Sequence, residues 1–234
     1  MRDIVLEHVP RVRAVRVLDI GCGTGSLVFC LADALPAATL VGIDISAANI
    51  RAAREQLGAR SSGRTSGTPQ STSERPETAI TFDAVDYFEY RSEPFDLVVT
   101  DGVLHLIPGA TAPLLEKLAT DVRPGGLLVC NMPFDCRYNR VFSRIRSVIR
   151  PLRSTWLDRL ILEAARVIHR GDMRDEDLRE RVPYMYMPPE RMMNDDLASC
   201  FAAAGFDRVA EYRMKTTSIS QLKHRVTIFG RRAH

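Results

Sequence analysis

No stretch of this 234-residue sequence approaches the roughly 20 consecutive apolar residues of a membrane-spanning helix, which excludes a helical integral membrane protein. Cysteine is sparse and unpatterned. Cys22, Cys30, Cys130, Cys136 and Cys200 make an odd set of five with no C-x-x-C pair, which argues against a disulfide framework and a zinc site. No metal is expected. Lysine is nearly missing: only Lys117, Lys215 and Lys223 stand among 32 basic residues, a bias read as genome composition rather than function. The opening residues include Arg2, Asp3 and Glu7 and no continuous apolar run, so no signal peptide is expected and the chain is placed in the cytoplasm. The net charge of +3 excludes little. No pattern of aromatics accompanies the basic residues, so nucleic acid is not an expected partner.

What is present starts with size: 45% hydrophobic residues in a chain of this length support one globular domain over 1–234. Residues 17–25 read Val-Leu-Asp-Ile-Gly-Cys-Gly-Thr-Gly. A short apolar run broken by glycines predicts a buried parallel strand entering a tight turn, with Asp19 two residues ahead of Gly21. Glycines suit a turn that a ligand approaches closely or that requires positive φ. The dinucleotide fingerprint wants its third glycine at position 26, where Ser26 stands instead, so the spacing is G-x-G-x-G.

Further along, Ser26 to Ala34 predicts a helix, and Thr39 to Asp44 a second buried strand ending in an acid. Ser46 caps a helix expected to end at Gly58. Residues 59–78 change character: nine of the nineteen residues from Arg60 to Thr78 are Ser or Thr, which predicts a disordered-type surface loop, or alternatively a substrate gate. Strands are expected at Ala79 to Phe82, Phe95 to Thr100 and Leu127 to Asn131, with a helix over Ala112 to Asp121 between the last two. After a helix over Asp195 to Ala204, two β-rich runs (Phe206 to Met214, His224 to Gly230) predict a closing antiparallel hairpin. Alternation of strands and helices predicts an α/β fold, a doubly wound, seven-stranded, mostly parallel sheet. Residues 133–190 form a long insertion after strand five, with apolar positions at helical spacing on both sides of Pro151.

The ordered set resembles the class I S-adenosylmethionine (SAM)-dependent methyltransferases. The set comprises the glycine turn with Asp19, Asp44 after strand two, Asp86 ten residues before Asp96, Phe95-Asp96-Leu97-Val98 and Pro124-Gly125-Gly126. The resemblance covers residues 17–132 and implies SAM as cofactor, with S-adenosylhomocysteine (SAH) as product. It implies that Asp19, Gly21, Cys22, Gly23 and Gly25 surround the methionyl part. Asp44 would meet the ribose, and Asp86 (preferred to Asp83) and Tyr87 the adenine; Ile45, Asp101 and Gly102 would also bind the cofactor, with Asp101 and His105 facing the reacting centre as the catalytic pair. His105 is the candidate general base, with packing of the following helix as its alternative. The expected acceptor is a small molecule, methylated at oxygen or nitrogen. No Asn-Pro-Pro-Tyr-type motif follows strand four, which disfavours amino methylation of bases or glutamine. The insertion at 133–190 is then expected to cover the acceptor, with Tyr138, His169, Tyr184 and Tyr186 lining it.

Arg137, Arg140, Arg144, Arg146, Arg150 and Arg153 occur with no acid from 136 to 157. That run reads as a solvated helix face, a patch for an anionic acceptor or acidic carrier, or a membrane-surface contact. Two other functions remain open from the sequence. One is a non-catalytic SAM-binding scaffold, and the other a nucleotide-binding oxidoreductase, which Ser26 and the closing hairpin argue against.

Overall fold

The computed structural model describes residues 1–9, 14–35, 37–64, 78–168, 178–179, 182–184, 186–213 and 223–233. The first elements in chain order are α1 (Arg2–His8), β1 (Arg16–Ile20), α2 (Ser26–Ala34), β2 (Thr39–Asp44), α3 (Ala47–Arg64) and β3 (Ala79–Ala84). They are followed by β4 (Phe95–Asp101), α4 (Thr111–Asp121), β5 (Val122–Pro133) and α5 (Arg137–Ile149), which a 3-10 turn (Arg150–Leu152) joins to α6 (Thr155–Ile168). The last are α7 (Asp195–Ala203), β6 (Phe206–Arg213) and β7 (His224–Arg231).

The seven strands form one sheet in the order β3-β2-β1-β4-β5-β7-β6. β1 to β5 pair in parallel, and β7 lies antiparallel between β5 and β6. This is the doubly wound sheet with a closing antiparallel pair that the alternation predicts. Parallel strands are covered on both faces, which is why β1, β2 and β4 are nearly continuous apolar runs. Leu114, Leu115 and Leu118 of α4 and Leu197 and Phe201 of α7 cover one face. Val5 of α1, Val28 and Phe29 of α2, and Ile50 and Ala53 of α3 cover the other. The strand order reverses between β1 and β4, and the space beyond their carboxyl ends is where open α/β sheets bind their ligands.

Two sequence motifs serve the opposite end of the sheet. Asp96 accepts from the Arg16 backbone N–H at 2.8 Å and pairs with Arg123, tying β1, β4 and β5 together. A Cβ at Gly126 would stand 2.9 Å from the carbonyl oxygens of Arg123 and Asp96, so only glycine fits there. The turn is therefore absorbed into β5, which starts at Val122 rather than Leu127 and ends at Pro133 rather than Asn131.

The helix expected to stop at Gly58 continues to Arg64, so the first part of the supposed loop 59–78 is helical. The hydroxyls of Ser61 and Ser62 donate to the carbonyls four residues back, and the Arg60 guanidinium lies 4.7 Å from the Phe29 ring. The Arg60 contact with Phe29 and its ion pair with Asp33, rather than the serine bonds, work against the roughly 1 kcal/mol that an interior glycine costs a helix. Residues 65–77 lie outside the described residues. The helices predicted around Pro151 form as α5 and α6, but α5 buries none of its residues.

Candidate active site

The glycine turn lies between β1 and α2, and its three glycines all have positive φ (73°, 54° and 83° for Gly21, Gly23 and Gly25). They differ in what surrounds them. A Cβ at Gly21 would fall 2.4 Å from Val103, and one at Gly25 would fall 2.7 Å from the Phe82 ring. At Gly23 a Cβ would meet nothing within 4 Å. Packing against the neighbouring loop and strand explains Gly21 and Gly25, whereas Gly23 borders open space. Cys22 is buried beneath the turn, its Sγ against Gly42, with its thiol pushed up by burial.

Three carboxylates surround this turn at the carboxyl ends of β1, β2 and β4. Asp44 accepts from Gly23 N at 2.9 Å through one oxygen and from Ser46 N at 2.8 Å through the other. Asp101 accepts from the Asn131 side-chain amide at 2.7 Å. Asp19 is only 2% exposed, and burial raises its pKa to about 8, with the charges of Asp101 and then Asp44 adding to the shift. The three carboxyl groups stand close enough that burial and the charges of Asp101 and Asp44 favour a protonated Asp19 while no cation is present.

The raised pKa has a stability consequence. The folded chain prefers protonated Asp19, so this contribution is fully present below the ordinary 3.8 and is lost as pH climbs through about 8. Asp19→Asn, neutral throughout, is expected to gain on the wild type over that interval in thermal melts and to level off above it. A difference independent of pH would show that Asp19 is already ionised in the folded chain.

The other side of the crevice is basic. His105 follows β4, is 6% exposed, and leaves Nδ1 without a hydrogen-bond partner among the described residues. The His224 ring meets it edge-on at 5.5 Å, because β7 pairs His224 with Pro133 at the carboxyl end of β5. Burial lowers His105 to about 3, with further depression from the positive fields of His224, Arg146 and Arg191. Burial and Arg146 lower His224 as well, against an opposing pull from Asp101. Arg146 is the inward-turned arginine of α5, donating to the Met187 carbonyl at 3.4 Å. Arg191 is buried and donates to the carbonyls of Leu104, Ile107 and Gly109, which clamps the loop carrying His105. A histidine with so low a pKa holds a proton too weakly to act as the expected general base near neutral pH.

The remaining expectations divide. Ile45 is 70% exposed at the end of β2, beside Asp44. Asp86 accepts from Phe88 N at 2.7 Å, whereas Asp83 is engaged by Arg54. Tyr87, expected beside adenine, is instead buried in the core against α4, with Lys117 Nζ 4.7 Å from its ring. Tyr186, expected in the acceptor pocket, belongs to a satellite core with Leu162, Ala165, Leu178 and Val182. Tyr138 stacks on Phe142 at 4.4 Å at the start of α5, and Tyr184 is largely exposed. His169 lies outside the described residues. Sequence reading missed His224, Arg146 and Arg191 as members of one site. An antiparallel register and a helix rotation place them there, and neither leaves a local motif.

Comparison with known proteins agrees with this geometry. A family profile described as "Methyltransferase domain" matches residues 18–128. A trans-aconitate 2-methyltransferase of Azoarcus sp. (strain BH72) is 33% identical over 133 residues, 56% of this chain and 44% of that protein. The chain thus spans less than half the length of the curated relatives it matches. Among solved structures, a SAM-dependent methyltransferase of Methanosarcina mazei superposes with a TM-score of 0.62 at 16% identity, covering 100% of this chain and 99% of that one. The N-methyltransferase NodS of Bradyrhizobium japonicum WM9, solved with SAH, gives 0.55 at 15% identity over 93% and 79% of the two chains. Residues 18–128 match a methyltransferase domain, and the strand order and the glycine turn ringed by carboxylates agree with that match.

Proposed function

We propose that the chain methylates a carboxylate oxygen of a small anionic acceptor, with SAM as methyl donor. The observation that carries this reading is the division of charge across the crevice. Asp19, Asp44 and Asp101 line one side, and the cationic Arg146 with His105 and His224 lines the other. The carboxylate side fits a cationic cofactor. Asp19 and Asp101 would meet its ammonium end, Gly23 the open stretch of backbone, Asp44 its ribose hydroxyls, and Ile45 and Asp86 its adenine. Bound there, SAM supplies an electrophilic methyl on a sulfonium and departs as a neutral thioether that takes no proton.

Among the described residues the acceptor side offers His105 and His224, both depressed by burial, which suits a nucleophile that is already ionised. A carboxylate is such a nucleophile, while an alcohol or amine must lose a proton in the course of the reaction. Arg146 provides the charge that attracts and orients the acceptor, and the clamped loop below His105 holds that position in advance of binding. The name of the relatives, trans-aconitate 2-methyltransferase, supports an acceptor of this class.

The test is transfer of radiolabelled methyl from SAM to a panel of small di- and tricarboxylates, phenols and amines. Alkali-labile methyl esters are expected, at a rate that, with SAM saturating so that titration of Asp19 near 8 is not read, stays flat between about pH 6 and 9 because no proton leaves the nucleophile. His105→Asn is expected to lower kcat by less than about tenfold, against the 10²- to 10⁴-fold loss of a true base. Arg146→Ala is expected to raise the acceptor KM by about tenfold at nearly constant kcat. Alkali-stable products, or a rate that climbs with pH, would overturn the carboxylate reading.

A further inference from the structure

α5, the 3-10 turn and α6 carry a face that the crevice does not use. Val141, Ile145, Val148 and Leu152 recur at intervals of four, three and four, one stripe along the helix and its continuation, and all are 46–65% exposed. Trp156 (69% exposed) and Leu160 (51%) repeat the spacing on α6. Large aliphatic and aromatic side chains left in water along two successive helices mark an interaction surface. Arginines flank them. Arg140 and Arg153 are engaged by Asp135 and Asp158, but Arg137, Arg144, Arg150 and Arg159 form no ion pair among the described residues. No acidic residue stands between 136 and 157.

We propose that this face docks on the surface of an anionic lipid bilayer. The apolar stripe would sit at headgroup depth and the unpaired arginines among the lipid phosphates. Charge selects this occupant. A second copy docked face to face would set the same arginines against each other, since an isologous contact opposes identical patches. An apolar protein partner would strip water from four uncompensated guanidinium groups. Among the described residues no helix is long and apolar enough to cross a membrane, so the contact is interfacial. α5 presents two faces, with Arg146 turned toward the Met187 carbonyl and the Val141–Leu152 stripe turned outward.

Trp156 is the only tryptophan in the chain and reports the contact directly. The full chain, without cofactor or acceptor, is mixed with vesicles of phosphatidylcholine alone or of phosphatidylcholine with phosphatidylglycerol. Co-sedimentation and a blue shift of Trp156 emission are expected with the anionic vesicles only, weakening at least about tenfold at high salt. The pairs Val148→Glu with Leu152→Glu, and Arg144→Glu with Arg150→Glu, are each expected to lose binding. All four residues are exposed, so both variants should melt like the parent. The proposal is overturned by unchanged emission and sedimentation at low salt, or by binding that survives both pairs. It is equally overturned by light scattering that shows a dimer abolished by Val148→Glu with Leu152→Glu. No methyl transfer is measured, so failure here leaves the proposed reaction standing, and the converse holds.

Discussion

Alanine at position 44 is expected to give a folded chain that binds SAM at least about 100-fold more weakly than the wild type. Asp44 ends β2, half-buried, and its two oxygens already hold the Gly23 and Ser46 backbone N–H groups at 2.9 and 2.8 Å. The Asn49 amide adds a longer contact at 3.5 Å. The oxygen on Gly23 N retains capacity for a second donor, and a ribose hydroxyl would displace the long Asn49 contact from the other, so that both could serve a diol. Hydrogen bonds to a charged acceptor contribute about 1.5–3 kcal/mol each, so losing two of them lowers affinity by roughly 100-fold or more. Alanine also frees the Gly23 N–H and unties the turn from β2. Asparagine keeps the shape and one acceptor oxygen, so Asp44→Asn should fall between, at about tenfold. Calorimetric titration with SAM and SAH reads the result, and circular dichroism confirms that the sheet persists. Equal affinity in Asp44→Ala would remove Asp44 from the cofactor site.

The carboxylate side of the candidate site was more legible in the sequence than the histidine and arginine side, for a physical reason. Strand, glycine turn and helix are local structures, so their hydrophobic period and glycine punctuation survive in a linear reading. Asp19, Asp44 and Asp101 follow from strand ends, because each closes a buried run. His224 does not. It reaches His105 only because β7 inserts antiparallel beside β5 in a register that pairs it with Pro133. Arg146 was visible as one of six arginines, but which of them turns inward is decided by how α5 lies over the crevice. Tyr87 and Tyr186 show the same limit from the other side, since an aromatic near a predicted site reads alike whether it faces ligand or core. The continuation of α3 past Gly58 rests on Arg60 lying over Phe29, a contact between helices that local glycine chemistry does not announce. The Phe95-Asp96 and Pro124-Gly125-Gly126 motifs lie within the matched methyltransferase domain, yet their residues bind the frame of the sheet rather than a ligand.

Gly21→Ala and Gly23→Ala are expected to fail in different ways, although the two glycines stand two residues apart in one motif. At Gly21 the backbone has φ +73° and a new Cβ would overlap the Val103 side chain at 2.4–2.8 Å. Holding an L-residue in the left-handed region costs about 1–2 kcal/mol. Overpacking against a neighbour that cannot move freely adds about 1–3 kcal/mol. The total, about 2–5 kcal/mol, is a large fraction of the roughly 5–15 kcal/mol that stabilises a domain. Gly21→Ala should therefore show a much lower denaturation midpoint, and adding Val103→Ala should recover the overlap share while the φ share remains. Gly23 also has positive φ, at +54°, yet its Cβ would meet nothing. Its alanine variant should lose only about 1–2 kcal/mol of stability while SAM affinity falls at least about tenfold, because the methyl occupies the space where ligand and backbone would approach. Denaturant melts and calorimetry on the same three variants separate the two outcomes. The opposite ordering, with Gly23→Ala unfolding and Gly21→Ala tolerated, would mean that the turn meets its ligand at Gly21. On the geometry found here, the first and third glycines of G-x-G-x-G accommodate the fold's own side chains, and the middle one is left open for the ligand.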